Sequence, residues 1–127
     1  MADQKKKIVA ILSDLMFRVK IQEAAKRTGF DAVFVQTQQD ALARAREDPA
    51  LIILDLNHSA AEPLQTISKL KNDVETSRIQ LLCYVSHVQV DLKKAAQAAG
   101  CDQVLARSAF SENLPAILGR YAERRGV

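Results

Sequence analysis

The sequence contains no tryptophan, few other aromatic residues (5% in all) and no long apolar run. A helix that crosses a membrane needs about 20 consecutive apolar residues, so a membrane protein is not expected. The lysine-bearing N-terminus lacks the apolar stretch and cleavage site of a secretory signal, which makes the cytoplasm the expected location. A nucleic-acid surface needs basic residues grouped with aromatic stacking partners, so we do not expect nucleic-acid binding.

Cysteine is also scarce, since Cys83 and Cys101 are the only two and form no C-x-x-C motif. Cys83 lies within the apolar run LLCYV at residues 81–85, where a small buried thiol is the usual outcome. Nothing in this usage indicates a disulfide scaffold. A conventional apolar core is therefore expected.

The residues that are present fit one soluble globular domain. The chain has 127 residues, of which 48% are hydrophobic and 26% are charged. The net charge of +3 arises at the basic ends, residues 1–7 and 120–127, and the body between them is close to neutral. This distribution is typical of solvated termini rather than of a basic binding face. We expect a single domain over residues 1–127, with flexible ends at residues 1–6 and 123–127.

Five short runs rich in β-branched residues alternate with longer stretches of helical period, which predicts a (βα)5 chain. The run LIIL at residues 51–54 is apolar at consecutive positions, as a central parallel strand covered on both faces must be. Gly29 and Gly100 end the first and fourth helices, and Asp48-Pro49 ends the second, near residues 38–47. The predicted strands are residues 8–12, 32–36, 51–55, 79–85 and 103–106.

The predicted helices each have one apolar face. The inward positions are Phe17, Ile21, Ala24, Ala25 and Thr28 in the first helix, Ala41, Leu42 and Ala45 in the second, Leu64, Ile67, Leu70 and Val74 in the third, Leu92, Ala95, Ala96 and Ala99 in the fourth, and Leu114, Ile117, Leu118 and Tyr121 in the last, with Ser111 or Asn113 as its cap.

Right-handed crossovers favour a flavodoxin-like, doubly wound five-stranded parallel sheet in the order 2-1-3-4-5. Ligands of such sheets bind beyond the carboxyl ends of the strands, near the switch point between strands one and three. Polar side chains gather at that edge. They are Ser13 and Asp14 after strand one, Asp55 and Asn57 at the end of strand three, Ser86 after strand four, and Arg107 after strand five.

These residue types suit phosphoryl chemistry with a hard cation. Asp14 and Asp55 offer oxygen ligands of the kind that Mg²⁺ binds, and a carboxylate is also a nucleophile toward phosphorus. Ser86 would donate a hydrogen bond to a phosphoryl oxygen, and Arg107 would neutralise its charge. For Asp55 taken alone, a structural role in capping the following turn is an equal alternative.

At these positions the sequence resembles the response regulator receiver domain of two-component signalling, over essentially all of residues 7–122. The run IVAILSD at residues 8–14 is similar to the first strand of that family with its acidic pair. The run LIILDLN at residues 51–57 is similar to the phosphoacceptor strand, and this match is the more specific one. Ser86 falls where the family places a hydroxyl residue, and Arg107 falls where it places a lysine.

The resemblance implies that Asp55 accepts a phosphoryl group from a histidine kinase or a phosphotransfer protein. It implies a Mg²⁺ ion held by Asp14, Asp55 and the backbone carbonyl of Asn57, with Ser86 and Arg107 contacting the phosphoryl group. The chain would then be a signalling domain of a phosphorelay rather than an enzyme, and a separate effector protein would carry its output.

The resemblance also implies a partner surface on the fourth helix, fifth strand and fifth helix, through which a homodimer is a further hypothesis. Ordinary solvated charge is the simpler interpretation of that surface. Its charged residues here are Lys93, Lys94, Glu112 and Arg120.

The sequence departs from the family pattern at several positions. Ser13 replaces a carboxylate of the acidic pair, which should weaken Mg²⁺ binding at least roughly tenfold, or about 1.4 kcal/mol. Arg107 carries a wide, permanently charged fork where lysine is a point charge; it either pairs with Asp55 in a resting state or holds a phosphoryl group. The loop after strand three lacks the usual Met-Pro and Gly, and Val104 stands where the family often has a switching aromatic.

Three other interpretations follow. In the first, the chain is a pseudo-receiver, a protein-interaction module that does not depend on phosphorylation. In the second, more remote one, it is a small metal-dependent phosphohydrolase, with His58 and His87 completing a metal site beside Asp14 and Asp55. A flavodoxin-like cofactor domain is disfavoured, because the loop after strand one lacks the glycines or hydroxyls that cradle a phosphate.

Overall fold

A computed structural model describes residues 6–86 and 89–125, with side chains described as far as residue 122. Five parallel strands form one sheet in the order β2-β1-β3-β4-β5, which confirms the predicted flavodoxin-like topology. The elements are β1 (Lys6–Ile11), α1 (Leu15–Thr28), β2 (Phe30–Val35), α2 (Gln38–Ala45), β3 (Leu51–Asp55), a 3-10 turn (Ser59–Ala61), α3 (Pro63–Asn72), β4 (Gln80–Val85), α4 (Val90–Ala99), β5 (Gln103–Ala106), α5 (Arg107–Glu112) and α6 (Leu114–Arg125).

The centre of the sheet is β3, whose five residues are all buried. It pairs with β1 on one side and with β4 on the other, so that Ile53 lies between Ala10 and Leu82. Alternate side chains of β3 enter the two core layers: Leu51 and Ile53 pack in one, with α1 and α6, while Ile52 and Leu54 pack in the other. Consecutive apolar residues are therefore what this position requires.

The first strand and the last helix extend further toward the ends of the chain than was predicted. β1 begins at Lys6, which pairs with Phe30 of β2, and α6 continues to Arg125. Regular structure thus enters both segments that were expected to be flexible. Among the described residues, no helix is long and apolar enough to cross a membrane.

Three predictions for the helices are wrong. Leu64, predicted on the inward face of α3, is exposed. α3 ends at Asn72, and Val74 lies beyond it with 84% of its side chain exposed, rather than on the buried face. The residues after β5 were not predicted to be helical, yet they form a separate short helix, α5, which Arg107 begins. Ser111 accordingly lies inside α5 and does not cap α6, whereas the apolar face predicted for α6 is buried as expected.

Gly100 ends α4 in a backbone conformation with positive φ, which residues with a side chain rarely adopt. Its φ is +115°, and a Cβ atom there would lie 3.1 Å from the Cβ and Cγ of Lys71. We expect Gly100→Ala to lower the free energy of unfolding by about 2–3 kcal/mol, through backbone strain and crowding together. Gly29→Ala is the matched control, since Gly29 has φ +86° but open space at its Cβ.

Gly29→Ala should lower the free energy of unfolding by only about 1 kcal/mol, because it adds backbone strain without crowding. Urea denaturation of both variants and of the unmodified chain measures the difference. Equal losses at the two glycines would show that Lys71 moves aside without cost.

Candidate functional site

Asp14 is held at the edge of the sheet by two different partners. It follows β1 in an extended conformation and caps α1, because its Oδ1 accepts hydrogen bonds from the backbone N–H groups of Met16 (2.9 Å) and Phe17 (3.2 Å). Its Oδ2 accepts a hydrogen bond from the guanidinium of Arg107. The Arg107 guanidinium and these amides lower the pKa of Asp14. Both carboxylate oxygens are therefore already engaged within the chain.

Arg107 reaches Asp14 from the start of α5. Its guanidinium carbon lies 4.2 Å from the centre of the Phe17 ring, a cation–π contact that fixes the side chain over the first turn of α1. The sequence offered two roles for Arg107, an ion pair with Asp55 or a contact to a phosphoryl group. In the structure its ion-pair partner is Asp14, and its effect on Asp55 is electrostatic.

Asp55 ends β3 and is buried, with 6% of its surface exposed. Its Oδ1 accepts a hydrogen bond from the backbone N–H of Asn57, at 2.8 Å. Burial raises the pKa of Asp55, and the Asn57 amide and the positive charge of Arg107 oppose that rise only in part. The negative charge of Asp55 therefore has fewer stabilising hydrogen bonds than that of Asp14, whose two carboxylate oxygens both accept them.

Replacing Asp55 by Asn should stabilise the folded chain. Because the folded pKa is raised, the native state holds the proton to higher pH than the unfolded chain does, and stability falls as the pH rises above the unfolded value of about 4. We expect Asp55→Asn to add about 1 kcal/mol at pH 7 and to leave stability unchanged near pH 3.

Urea unfolding at several pH values checks this. The Asp14–Arg107 pair has the opposite effect on the pH dependence of stability. Because the pKa of Asp14 is lowered, the pair stabilises the fold above about pH 4, and this stabilisation is lost as the pH falls below that value. Loss of stability in Asp55→Asn at pH 7 would mean that the ionised carboxylate has a favourable partner in the native state.

Tyr84 lies directly beneath the site. It is the register partner of Asp55 across β3 and β4, so the two side chains point to the same face of the sheet. Its ring is fully buried; it is tilted against Phe17, with 5.0 Å between ring centroids, and stacked on Phe110, at 4.8 Å. The Tyr84 hydroxyl has no hydrogen-bond partner among the described residues, and burial together with the Asp55 carboxylate raises its pKa strongly.

Sequence reasoning missed this residue as part of the site. Tyr84 was included in an apolar run, and the tyrosine within that run was the one available signal.

The loops after β3 and β4 are tied together by Asn57. Its side-chain amide donates to Gln89, and its Oδ1 accepts a hydrogen bond from the backbone N–H of Ser86 at 3.2 Å. Ser86 and Arg107 line one open depression of about 320 Å³, together with Phe17. The structure thus brings Ser86 and Arg107 together beside the end of β3, as the topology predicted.

The residues present fit a Mg²⁺ ion poorly in this arrangement. Ser13 is exposed and has no carboxylate, and the second oxygen of Asp14 is bonded to the Arg107 guanidinium. A divalent cation would have to displace that guanidinium. In the described part of the chain, no three His, Cys, Asp or Glu side chains are grouped to hold a metal ion.

The histidine site of the phosphohydrolase interpretation gains no support. His58 Nε2 lies 2.8 Å from the carbonyl oxygen of Gln36, at the end of β2, and therefore donates its proton there. His87 lies outside the described residues.

An apolar patch borders the site on α1. Leu15 and Met16 are each 70% exposed and Val19 is 53% exposed, in the two turns that follow the Asp14 cap. These residues were not predicted as part of a functional surface, although three apolar side chains outside the buried face of α1 were a visible signal. Contiguous exposed apolar side chains are typical of contact surfaces.

Of the comparisons with known proteins, the one with solved structures identifies the fold. No protein-family model matches the sequence, and no curated protein matches it. Among solved structures, the chain is similar to the phosphorylated cyanobacterial phytochrome response regulator RcpA, with 22% identity, a TM-score of 0.78, and coverage of 94% of this chain and 93% of that one. It is also similar to the chemotaxis response regulator CheY4 of Vibrio cholerae, with 18% identity, a TM-score of 0.79, and coverage of 93% and 99%.

A third similar structure is the receiver domain of a sensor histidine kinase from Pseudomonas aeruginosa, determined with a magnesium ion coordinated in its active site cleft. It has 14% identity, a TM-score of 0.80, and coverage of 94% of this chain and 99% of that one. The chain therefore has the receiver-domain fold over nearly its whole length, as the sequence resemblance implied.

Proposed function

We propose that the chain is a receiver-like signalling domain that acts as a protein-interaction module and does not require phosphorylation. One observation carries this proposal: the permanently charged Arg107 is bonded to Asp14, the only acidic residue left of the acidic pair. Arginine keeps its charge at any physiological pH. The site thus holds a fixed cation where the receiver resemblance implies an exchangeable metal.

The ion pair joins two loops at the edge of the sheet, which a receiver would join through a metal and a phosphoryl group. Asp14 caps α1 and Arg107 starts α5, so their contact fastens the β1–α1 loop to the β5–α5 junction. A half-exposed pair of this kind contributes only about 1 kcal/mol to stability. Its role is positional, because it sets one arrangement of these loops without any chemical event.

The surface next to the pair suits a protein partner. Leu15, Met16 and Val19 present apolar side chains to solvent, and the neighbouring Arg18 and Lys20 on α1 supply positive charge. A mixed apolar and basic surface on a rigid helix is typical of contact with a protein surface of complementary charge.

A second candidate function is phosphoryl transfer to Asp55 from a histidine kinase or phosphotransfer protein, read out by a separate effector protein. It is favoured by the position of Asp55 at the end of β3 and by the depression that Ser86 and Arg107 share. In this version Asp14, Asp55 and the Asn57 carbonyl would hold Mg²⁺, which would neutralise charge on the phosphoryl group. Arg107 would have to leave Asp14 first.

Intact-mass analysis after incubation with acetyl phosphate and Mg²⁺ separates the two functions. We expect no phosphoryl adduct on the folded chain, with Asp55→Asn and metal-free buffer as controls and circular dichroism to verify folding. A labile adduct that needs both Asp55 and Mg²⁺ would overturn the proposal and establish the second candidate. A partner of the module should bind the unmodified chain and Asp55→Asn with the same affinity.

A further inference from the structure

The two cysteines of the chain meet in the core, away from the site. Cys83 on β4 is fully buried, and Cys101, which follows Gly100 at the end of α4, is 8% exposed. Both are free thiols, and their sulfur atoms lie 2.8 Å apart. A disulfide bond has a sulfur–sulfur distance of about 2.05 Å, so the two sulfurs need to approach by only ~0.8 Å.

The backbone around Cys101 is fixed by partners from three elements. Asp102 Oδ2 accepts hydrogen bonds from the backbone N–H of Leu81, at 2.8 Å, and from Nζ of Lys71, at 2.6 Å. Lys71 Nζ also donates to the carbonyl oxygen of Ile79 at 2.8 Å, and the N–H of Cys101 donates to Ala96 at 3.1 Å. The thiols are therefore held next to each other instead of meeting by chance, which gives them a high effective concentration.

The two thiols differ in character. Burial raises the pKa of Cys83, whereas the hydrogen bond between the two thiols lowers the pKa of Cys101. Cys101 is also buried, but it is the more exposed of the two, at 8% against 0% for Cys83. A thiolate with some solvent access is the reactive form of cysteine, so Cys101 is the sulfur that meets a small oxidant first, with Cys83 directly behind it.

We infer that Cys83 and Cys101 form a redox-active dithiol that a hydroperoxide converts to an intramolecular disulfide. The Cys101 thiolate attacks one oxygen of hydrogen peroxide, the O–O bond breaks, and the leaving hydroxide takes up a proton to become water. Cys101 is then a sulfenic acid. The Cys83 sulfur attacks the Cys101 sulfur and loses its proton, the S–O bond breaks, a second water leaves, and the disulfide forms.

Two electrons, one from each thiol, thus reduce one peroxide. Oxidation would fasten β4 to the turn between α4 and β5, and a dithiol reductant would reverse it. This chemistry uses neither Asp55 nor Arg107, so it stands or falls independently of the proposed function.

Mass spectrometry of the full chain tests the inference directly. The reduced, folded protein is treated with a small excess of hydrogen peroxide and then denatured in the presence of an alkylating reagent. We expect the chain to lose the mass of two hydrogen atoms, to take up no alkyl group, and to yield a cross-linked peptide containing Cys83 and Cys101. Dithiothreitol should restore both thiols. Two alkylated cysteines after peroxide treatment, or disulfide-linked dimers, would overturn the inference.

Two alanine variants test the order of reaction, with circular dichroism as the check on folding. In Cys83→Ala, Cys101 should stop at the sulfenic acid and be trapped by dimedone. In Cys101→Ala, Cys83 should remain an unmodified thiol while the protein is folded. Dimedone labelling of Cys83 at the rate seen for Cys101 would overturn the assignment of Cys101 as the attacking sulfur. If either variant fails to fold, the cross-linked peptide of the unmodified chain still decides the main inference.

Discussion

Replacing Ser13 by Asp and Arg107 by Lys in one variant should raise the affinity for Mg²⁺ by roughly 10–100-fold. The first change supplies the missing carboxylate beside Asp14. The second replaces the guanidinium fork that is bonded to Asp14 by a compact ammonium, which has a smaller reach and no bidentate geometry. Mg²⁺ then competes with a weaker internal cation for a site that has two acidic residues next to β1 instead of one.

Calorimetric titration with Mg²⁺ measures the change. Each single variant should account for part of the gain, and Ser13→Asn, which adds an amide of similar size without charge, should give little. The double variant is also the one in which Asp55 should become reactive toward acetyl phosphate, since a bound Mg²⁺ neutralises charge during phosphoryl transfer. Unchanged Mg²⁺ affinity in the double variant would show that Ser13 and Arg107 do not account for the poor metal site.

Replacing Tyr84 by Ala should lower the free energy of unfolding by about 3–5 kcal/mol, the usual cost of removing a buried aromatic side chain. The ring packs against both Phe17 and Phe110 beneath Asp55, so its removal leaves a cavity in the core. Tyr84→Phe keeps the ring and removes a buried hydroxyl without a hydrogen-bond partner. It should leave the chain as stable as before or about 1 kcal/mol more stable.

Tyr121→Phe is the matched control for the second variant. The Tyr121 hydroxyl donates a hydrogen bond to Oε1 of Gln103 at 3.2 Å, so its removal should cost about 0.5–1.5 kcal/mol. Urea denaturation midpoints of the three variants give the comparison. A loss at Tyr84→Phe as large as that at Tyr121→Phe would show that the Tyr84 hydroxyl makes a hydrogen bond in solution, and the Asp55 carboxylate, which raises the Tyr84 pKa, would be the acceptor to test.

The sheet could be predicted because its determinants are local. The apolar run at residues 51–54 indicated a central strand, and β3 has the predicted bounds, Leu51–Asp55. Gly29 and Gly100 end α1 and α4 as expected, since each adopts the positive φ that a helix end of this kind needs. The strand order followed from the crossover rule, which depends on chain direction and twist and not on any particular contact.

The predictions of where helices begin and end were wrong where packing against neighbouring elements set the boundary. Val74 continued the helical spacing of α3, yet the helix ends at Asn72 and Val74 is exposed. No helix was predicted directly after β5, yet Arg107 begins α5 there. In both cases the periodic pattern was right for the residues before the break, and tertiary packing set the break itself.

The sequence by itself determined the fold, the edge of the sheet where polar residues collect, and the loss of one carboxylate at Ser13. The tertiary structure alone decided the partner of Arg107, the burial of Asp55, and the meeting of Cys83 with Cys101. The physical reason is range. Hydrophobic periodicity and capping act over a few residues, whereas Asp14 and Arg107 are 93 positions apart in the sequence. Whether the Arg107 guanidinium pairs with Asp14 or with Asp55 depends on where the packed core places α1, β3 and α5 relative to one another.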